Sequence, residues 1–222
     1  YLEACNAFAQ AIYLVAKEKD GCEYGTVAVS LIRDEDGEKI WIASTEKGHV
    51  SLLTIANLIQ TYAEDKMTES LAEKIQELCL GSDLCVAKVK EVRQFWQDYE
   101  HPLEFIENPS HELMGNGPVF DAEMVIMDEI YARIEDEEDI SPGLSSRDYI
   151  IGSAKQVCQK CFLAYEASDL PILHHNGVHS ARSNWKAPSF FKEAARDHAL
   201  PGCLQTAYDD ADSKGLFWEA LE

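Results

Sequence analysis

The chain has 222 residues, enough for one domain with a sizeable core, and its 46% hydrophobic and 27% charged content is typical of a soluble globular protein. The formal net charge is −21, from 40 acidic against 19 basic residues. This charge disfavours a long nucleic-acid partner, because phosphate contacts need a basic surface. No stretch approaches the roughly 20 consecutive apolar residues that a membrane span requires, so we expect no membrane association.

Seven cysteines, an odd number, are scattered along the chain. A chain of this length and apolar content does not need a disulfide framework, so we expect a reducing, cytoplasmic compartment. Polar residues such as Glu3 and Gln10 interrupt residues 1–19, which argues against a signal peptide there. Only Cys158 and Cys161 have the spacing of metal ligands, and the other five cysteines are interpreted as buried small hydrophobes.

The beginning of the chain predicts a helix followed by a β-hairpin. Apolar residues recur at helical spacing over residues 1–19, and strand-forming residues dominate 24–32 and 39–44. The polar, glycine-containing segment between the two strands has the composition of a hairpin loop. Ser44 and Thr45 end the second strand, where they fit an ordinary turn that caps the next helix.

Residues 50–100 are helical in pattern, in three segments, and Gly81–Asp83 is the break before the third. Pro102 and Pro109 bracket a predicted loop after these segments. We interpret residues 50–112 as a helical insertion within a single domain that spans residues 1–222. Such an insertion can cover a pocket mouth, bind a partner or only bury apolar surface.

A densely apolar helix is predicted over Val119–Ile134, and Pro118 sets its start. Asp121 and Glu123 fall in its first turn, where acidic side chains complement the helix dipole. Side chains two residues apart do not share a flank of a helix. The two carboxylates therefore converge on one point only if that point lies off the first turn.

A strand–helix–strand unit follows, predicted over Tyr149–Gly152, Cys158–Ala167 and 170–175. Cys158 and Cys161, at i and i+3, lie on one face of this helix, where two thiolates can hold one metal ion. A Cys-x-x-Cys pair alone also suits a redox motif or chance. Coupled to the acidic pair at the head of the preceding helix, it indicates a metal centre with a carboxylate beside it that can shuttle protons.

At segments 121–123 and 157–161 the chain resembles the zinc-dependent deaminase superfamily, whose signature is H-x-E followed by P-C-x-x-C. It departs from that signature twice, because Asp121 stands where the family has histidine and Val157 where it has proline.

Two later segments extend the resemblance. Gly-Val-His at 177–179 and Trp-Lys-Ala-Pro at 185–188 resemble an effector- or toxin-type group of predicted deaminases in intracellular bacteria and fungi. The resemblance covers roughly residues 115–188, about a third of the chain. It implies an α/β fold, namely the cytidine-deaminase-like three-layer fold with a mixed central sheet, here with a large helical insertion.

The resemblance also implies Zn²⁺ as the cofactor. The implied site consists of the ligands Asp121, Cys158 and Cys161, the acid/base Glu123, and the substrate contacts Ser44, Thr45, His179 and Trp185. His174 or His179 could also supply an imidazole ligand, although either would depart from the family's geometry. Trp185 can offer a stacking surface to a base or pack in the core.

The implied reaction is hydrolytic deamination of a cytosine- or adenine-type base in a nucleoside, nucleotide or nucleic acid, by an effector or toxin acting in its own or a host cytoplasm. The net charge favours a small base-containing substrate or a protein partner over a long nucleic acid. With Asp121 as a ligand the loaded site is one charge more negative than with histidine, and therefore a weaker Lewis acid. The alternative is a catalytically degenerate deaminase-fold binding module that engages a protein partner.

Overall fold

The computed structural model is a mixed α/β structure in three layers and describes residues 1–20, 26–45, 49–64, 69–96, 101–108, 120–136, 138–143, 146–168, 170–174 and 178–179. Its helices are α1 (Leu2–Asp20), α2 (His49–Glu64), α3 (Glu69–Leu78), α4 (Asp83–Trp96), α5 (Ala122–Glu135) and α6 (Gln159–Ala167). Its strands are β1 (Val27–Asp34), β2 (Gly37–Ser44), β3 (Leu103–Phe105), β4 (Ser141–Pro142), β5 (Tyr149–Ser153), β6 (Val157–Cys158), β7 (Ile172–His174) and β8 (Val178–His179). Among these residues no helix is both long and apolar enough to cross a bilayer.

The central sheet contains both parallel and antiparallel pairs, which confirms the predicted α/β fold with a mixed central sheet. Its strand order is β3-β2-β1-β5-β7, and β4 pairs with the end of β1. β1 is antiparallel to β2, β4 and β5, whereas β3 is parallel to β2 and β7 is parallel to β5. The strands β6 and β8 form a separate parallel pair.

Side chains of β1 are buried on both faces of the sheet. Val27, Val29 and Leu31 join a core with α1 to α4, and Ala28 and Ile32 join a second core with α5 and α6. This division follows the two-residue period of a strand, which sends successive side chains to opposite faces. Each fully buried aliphatic side chain contributes roughly 1.5–3 kcal/mol relative to exposure, so both layers hold the sheet in place.

α1 lies unusually close to β5, and Gly152 is the residue that allows it. A Cβ atom at Gly152 would lie 2.4 Å from the carbonyl carbon of Cys5 and 2.5 Å from the backbone nitrogen of Asn6. The backbone N–H of Ser153 also donates to Oδ1 of Asn6 at 2.9 Å. The strand that precedes the Cys-x-x-Cys motif is therefore fixed against the first helix of the chain.

The predicted hairpin is present, but its strands extend two residues further into the predicted loop on each side. Only Glu35 and Asp36 separate β1 from β2. Charged cross-strand pairs stabilise this extension: Arg33 with Glu38 at 2.7 Å and Lys39 with Asp34 at 2.6 Å. Gly37 closes the turn with φ +121°, a conformation that other residues rarely adopt.

The three helical segments predicted within 50–112 are confirmed as α2, α3 and α4. Trp96 of α4 packs on Phe8 of α1, and its indole N–H donates to the carbonyl oxygen of Ala4 at 3.1 Å. The predicted loop before Pro109 was wrong at Leu103–Phe105, because these residues pair with β2 and form the edge strand of the sheet. That these residues are an insertion in a single domain stays a prediction.

Candidate metal centre

Asp121 is the N-cap of α5, yet its side chain makes no capping hydrogen bond to that helix. An aspartate in this position ordinarily accepts from the first backbone N–H groups. Here Oγ1 of Thr45 accepts from the N–H of Ala122 at 3.2 Å. The Asp121 carboxylate instead accepts from Sγ of Cys161 at 3.1 Å. The chain therefore holds this carboxylate at the head of α5 without using it as a cap.

Cys158 is the N-cap of α6, and its Sγ accepts from the backbone N–H of Cys161 at 3.3 Å. The two cysteines are not disulfide-bonded. Because helix N-termini carry a partial positive charge, thiolates and carboxylates are stabilised there. The N-termini of α5 and α6 thus bring three candidate metal-ligand groups to one point.

The three donors lie within metal-binding distance of one another. Sγ of Cys158 is 3.1 Å from Sγ of Cys161, and one donor atom from each of Asp121, Cys158 and Cys161 lies within 4.8 Å of the others. Tetrahedral zinc ligands at roughly 2.0–2.3 Å from the ion would be about 3.5–3.8 Å apart. The two printed separations of 3.1 Å, from Cys161 Sγ to Cys158 Sγ and to Asp121 Oδ2, are shorter than that spacing by about 0.4–0.7 Å, and the chemistry of the donors suits zinc.

All three donors are buried, with 7% of Asp121, 2% of Cys158 and none of Cys161 exposed. Burial raises the pKa of the Cys161 thiol well above its usual value, and the hydrogen bond with Cys158 and the charges of Asp121 and Glu123 raise it further. Ionising this buried thiol beside the Asp121 carboxylate is costly unless a positive charge lies among the donors. A bound metal ion would supply that charge.

Glu123 lies in the first turn of α5 and is only 3% exposed. It is close enough to the triad for its charge to raise the pKa of Cys161, but among the described residues the group of candidate ligands contains only Asp121 and the two cysteines. The convergence of the two carboxylates on one point off the first turn stays a prediction. Glu123 thus lies beside the candidate ligands rather than among them.

Asn108 is a buried site residue that the sequence did not reveal. Its Nδ2 donates to the carbonyl oxygens of Ser44 at 3.0 Å and Phe120 at 3.1 Å, with Thr45 at 3.4 Å. It therefore ties the end of β2 to the head of α5. The Asn-Pro dipeptide at 108–109 signalled only a loop. Ser44 and Thr45 are both buried here, and their contact with substrate stays a prediction.

The remaining predicted residues have different outcomes. The ring of His174 stacks on Tyr165 with centroids 4.3 Å apart, and His174 is not in the candidate ligand group. The backbone of His179 pairs with Cys158 across β6 and β8. Trp185 lies outside the described residues.

Comparisons with known proteins give no match: no family model fits the chain, and neither the curated proteins nor the solved structures contain a significant relative. The similarity to zinc-dependent deaminases therefore rests on the motif residues alone. The structure adds a buried triad that could hold a metal ion, within a mixed α/β fold.

Proposed function

We propose that the chain is a zinc-dependent hydrolase of the deaminase type. The observation that carries this proposal is the buried Asp121/Cys158/Cys161 triad with a further buried carboxylate, Glu123, beside it. A structural zinc site needs no such carboxylate, whereas hydrolysis at a metal needs a group that moves protons. When bound there, zinc would supply Lewis-acid activation of water.

The residues around the triad then have separate roles. Asp121, Cys158 and Cys161 would hold the ion. Glu123 accepts the proton of the attacking water at its carboxylate and later gives it to the departing amine. A C–O bond forms at the amidine carbon of a cytosine- or adenine-type base and the C–N bond breaks. The reaction consumes water and releases ammonia, with no net oxidation or reduction.

The substrate is proposed to be small. With a net charge of −21 and a site that itself contains two carboxylates and two cysteines, a polyphosphate chain would meet strong repulsion. A nucleoside, a nucleotide or a short single strand carries less charge. The effector or toxin role is also only proposed, because it is supported by nothing except the sequence motif at 177–188.

A second candidate is a catalytically degenerate module that binds a protein partner. The deep burial of the triad favours it, because a structural metal site is closed whereas a catalytic one keeps an open position. In that case the ion would hold α5 and α6 together, and Glu123 would have no proton to move.

A screen for released ammonia separates the two candidates. The full chain, loaded with zinc, is incubated with cytosine- and adenine-containing nucleosides, nucleotides and short single strands. We expect release from at least one class. Glu123→Gln should lower that turnover by about 10²–10⁴-fold while zinc content stays unchanged, because it removes a proton carrier and no ligand.

Glu129→Gln is the matched control, since Glu129 lies on the same helix and is bonded to Arg133 at 2.8 Å rather than placed at the triad. It should leave turnover unchanged. Absence of ammonia across the whole panel, with zinc bound at about one ion per chain, would overturn the enzyme and leave the binding module.

A further inference from the structure

The hydroxyl group of Tyr165 is buried and has no hydrogen-bond partner within the described structure. Other tyrosines on this face of the sheet are bonded: Oη of Tyr149 donates to the carbonyl oxygen of Ile140 at 3.2 Å, and Oη of Tyr131 lies 2.7 Å from Oγ of Ser168. A buried polar group left unbonded lowers stability, so most such groups have a partner or a function.

Tyr165 follows Cys161 by one helical turn on α6. Residues 158, 161 and 165 are spaced three and four apart, which places their side chains on one face of the helix. The ring of Tyr165 stacks on His174 at an interplanar angle of 11°. Because the hydroxyl lies on the axis of the ring, this packing also fixes its position.

The surroundings of this hydroxyl are acidic. Burial raises the pKa of Tyr165 well above its usual value, and the charges of Glu123, Cys161, Cys158 and Asp121 raise it further, in that order. Tyr165 lies one turn after Cys161 on the same face of α6, so its side chain is a neighbour of the candidate centre. It also stays protonated, and a protonated phenol can donate a hydrogen bond.

We propose that the Tyr165 hydroxyl contacts the ligand of the metal centre and donates a hydrogen bond to an uncharged acceptor atom of a heterocyclic base. This inference rests on the proposed function and specifies how its substrate is recognised. An anionic acceptor would be repelled by Asp121 and Glu123, and a cationic group has no lone pair to offer. A carbonyl oxygen or a ring nitrogen of a neutral base meets both conditions.

The test uses the full chain loaded with Co²⁺, whose visible absorption reports on thiolate ligands. Binding of pyrimidin-2-one and of purine is titrated with wild type, Tyr165→Phe and the control Tyr149→Phe, which has the same 5% exposure but a bonded hydroxyl. Tyr165→Phe should weaken the binding of at least one probe by about five- to tenfold, the effect of one hydrogen bond. Tyr149→Phe should leave both affinities unchanged.

Stability gives the second readout. The urea midpoint should fall in Tyr149→Phe, which loses a bond, and should stay equal or rise in Tyr165→Phe, which loses only an unbonded hydroxyl. This inference would be overturned if Tyr165→Phe left the affinities for both probes unchanged. It would also be overturned if neither probe bound to the Co²⁺-loaded wild type, although the metal centre itself would remain supported. Absence of thiolate–Co²⁺ absorption in wild type would overturn the proposed function together with it.

Discussion

Each face of the central sheet buries a pair of neighbouring cysteines, but among the described residues only one pair has a buried carboxylate beside it. On the side of α1 to α4, Cys79 lies just after α3 and Cys85 in the first turn of α4, both fully buried. A hydrogen bond between their thiols and then burial raise the pKa of Cys85. On the side of α5 and α6, Cys161 lies 3.1 Å from both Cys158 Sγ and Asp121 Oδ2.

The difference shows that burial and pairing of cysteines do not make a metal site. Among the described residues the three buried carboxylates are Asp121, Glu123 and Asp128, and all belong to α5 or its N-cap. Buried negative charge is costly unless a partner or a metal offsets it. A cation bound on the α5–α6 face would offset such charge, whereas the Cys79–Cys85 pair can remain as two small hydrophobes.

The largest expected effect separates the two pairs directly. Cys161→Ser should reduce zinc from about one ion per chain to almost none, because a hydroxyl replaces one of two thiolate ligands. Cys85→Ser is the matched control, since both cysteines are fully buried. It should keep the zinc. Elemental analysis of protein purified without added metal measures both, and equal zinc content in the two variants would contradict the assignment.

The next effect concerns the close packing of α1 against β5. Gly152→Ala should lower the free energy of unfolding by about 1–3 kcal/mol, because the added methyl group meets the backbone of Cys5 and Asn6 at 2.4–2.5 Å. Gly37→Ala places its methyl group in open space and strains only the turn. It should cost about 1 kcal/mol. Urea unfolding compares them, and a smaller loss in Gly152→Ala than in Gly37→Ala would refute the close approach of α1.

The sequence predicted the parts of this architecture that depend on local patterns. The periodicity of helices and strands can be recognised within short segments. The Cys-x-x-Cys motif and the acidic pair at the head of α5 are likewise local. The strand at 103–105 was missed because three residues are too few to show the alternation of buried and exposed side chains that marks a strand. Its pairing with β2 is set by the rest of the sheet. The roles of Asn108 and Tyr165 depend on contacts across 12 to 64 residues or on burial, which a local pattern does not contain.

A smaller effect is expected from changing Asp121, the proposed ligand that departs from the deaminase signature. Asp121→His should keep the zinc and move the pH–rate profile to lower pH, by up to about tenfold in rate on the acidic side. The neutral imidazole makes the loaded site one charge less negative and hence a stronger Lewis acid. Asp121→Ala, which offers no donor, should lose zinc affinity. A profile that does not move in Asp121→His would show that Asp121 is not a ligand during turnover.

The smallest effect lies in the hairpin, away from both buried pairs. Burial raises the pKa of Asp34, but the hydrogen bond and charge of Lys39 outweigh it, so the pKa of Asp34 lies below its usual value. A lowered folded-state pKa contributes stability that is present above the unfolded-state pKa, about 3.9, and is lost as the pH falls through the folded-state value. Asp34→Asn should therefore cost about 0.2–1 kcal/mol at neutral pH, and the difference should vanish once the pH lies below the folded-state pKa of Asp34. Asp36→Asn is the control, because Asp36 is 76% exposed and lies further from Lys39, at 3.2 Å, so its change should be smaller still. Urea midpoints measured from neutral to acidic pH decide this, and a difference that persists at the lowest pH would show that Asp34 stabilises the hairpin by packing rather than by charge.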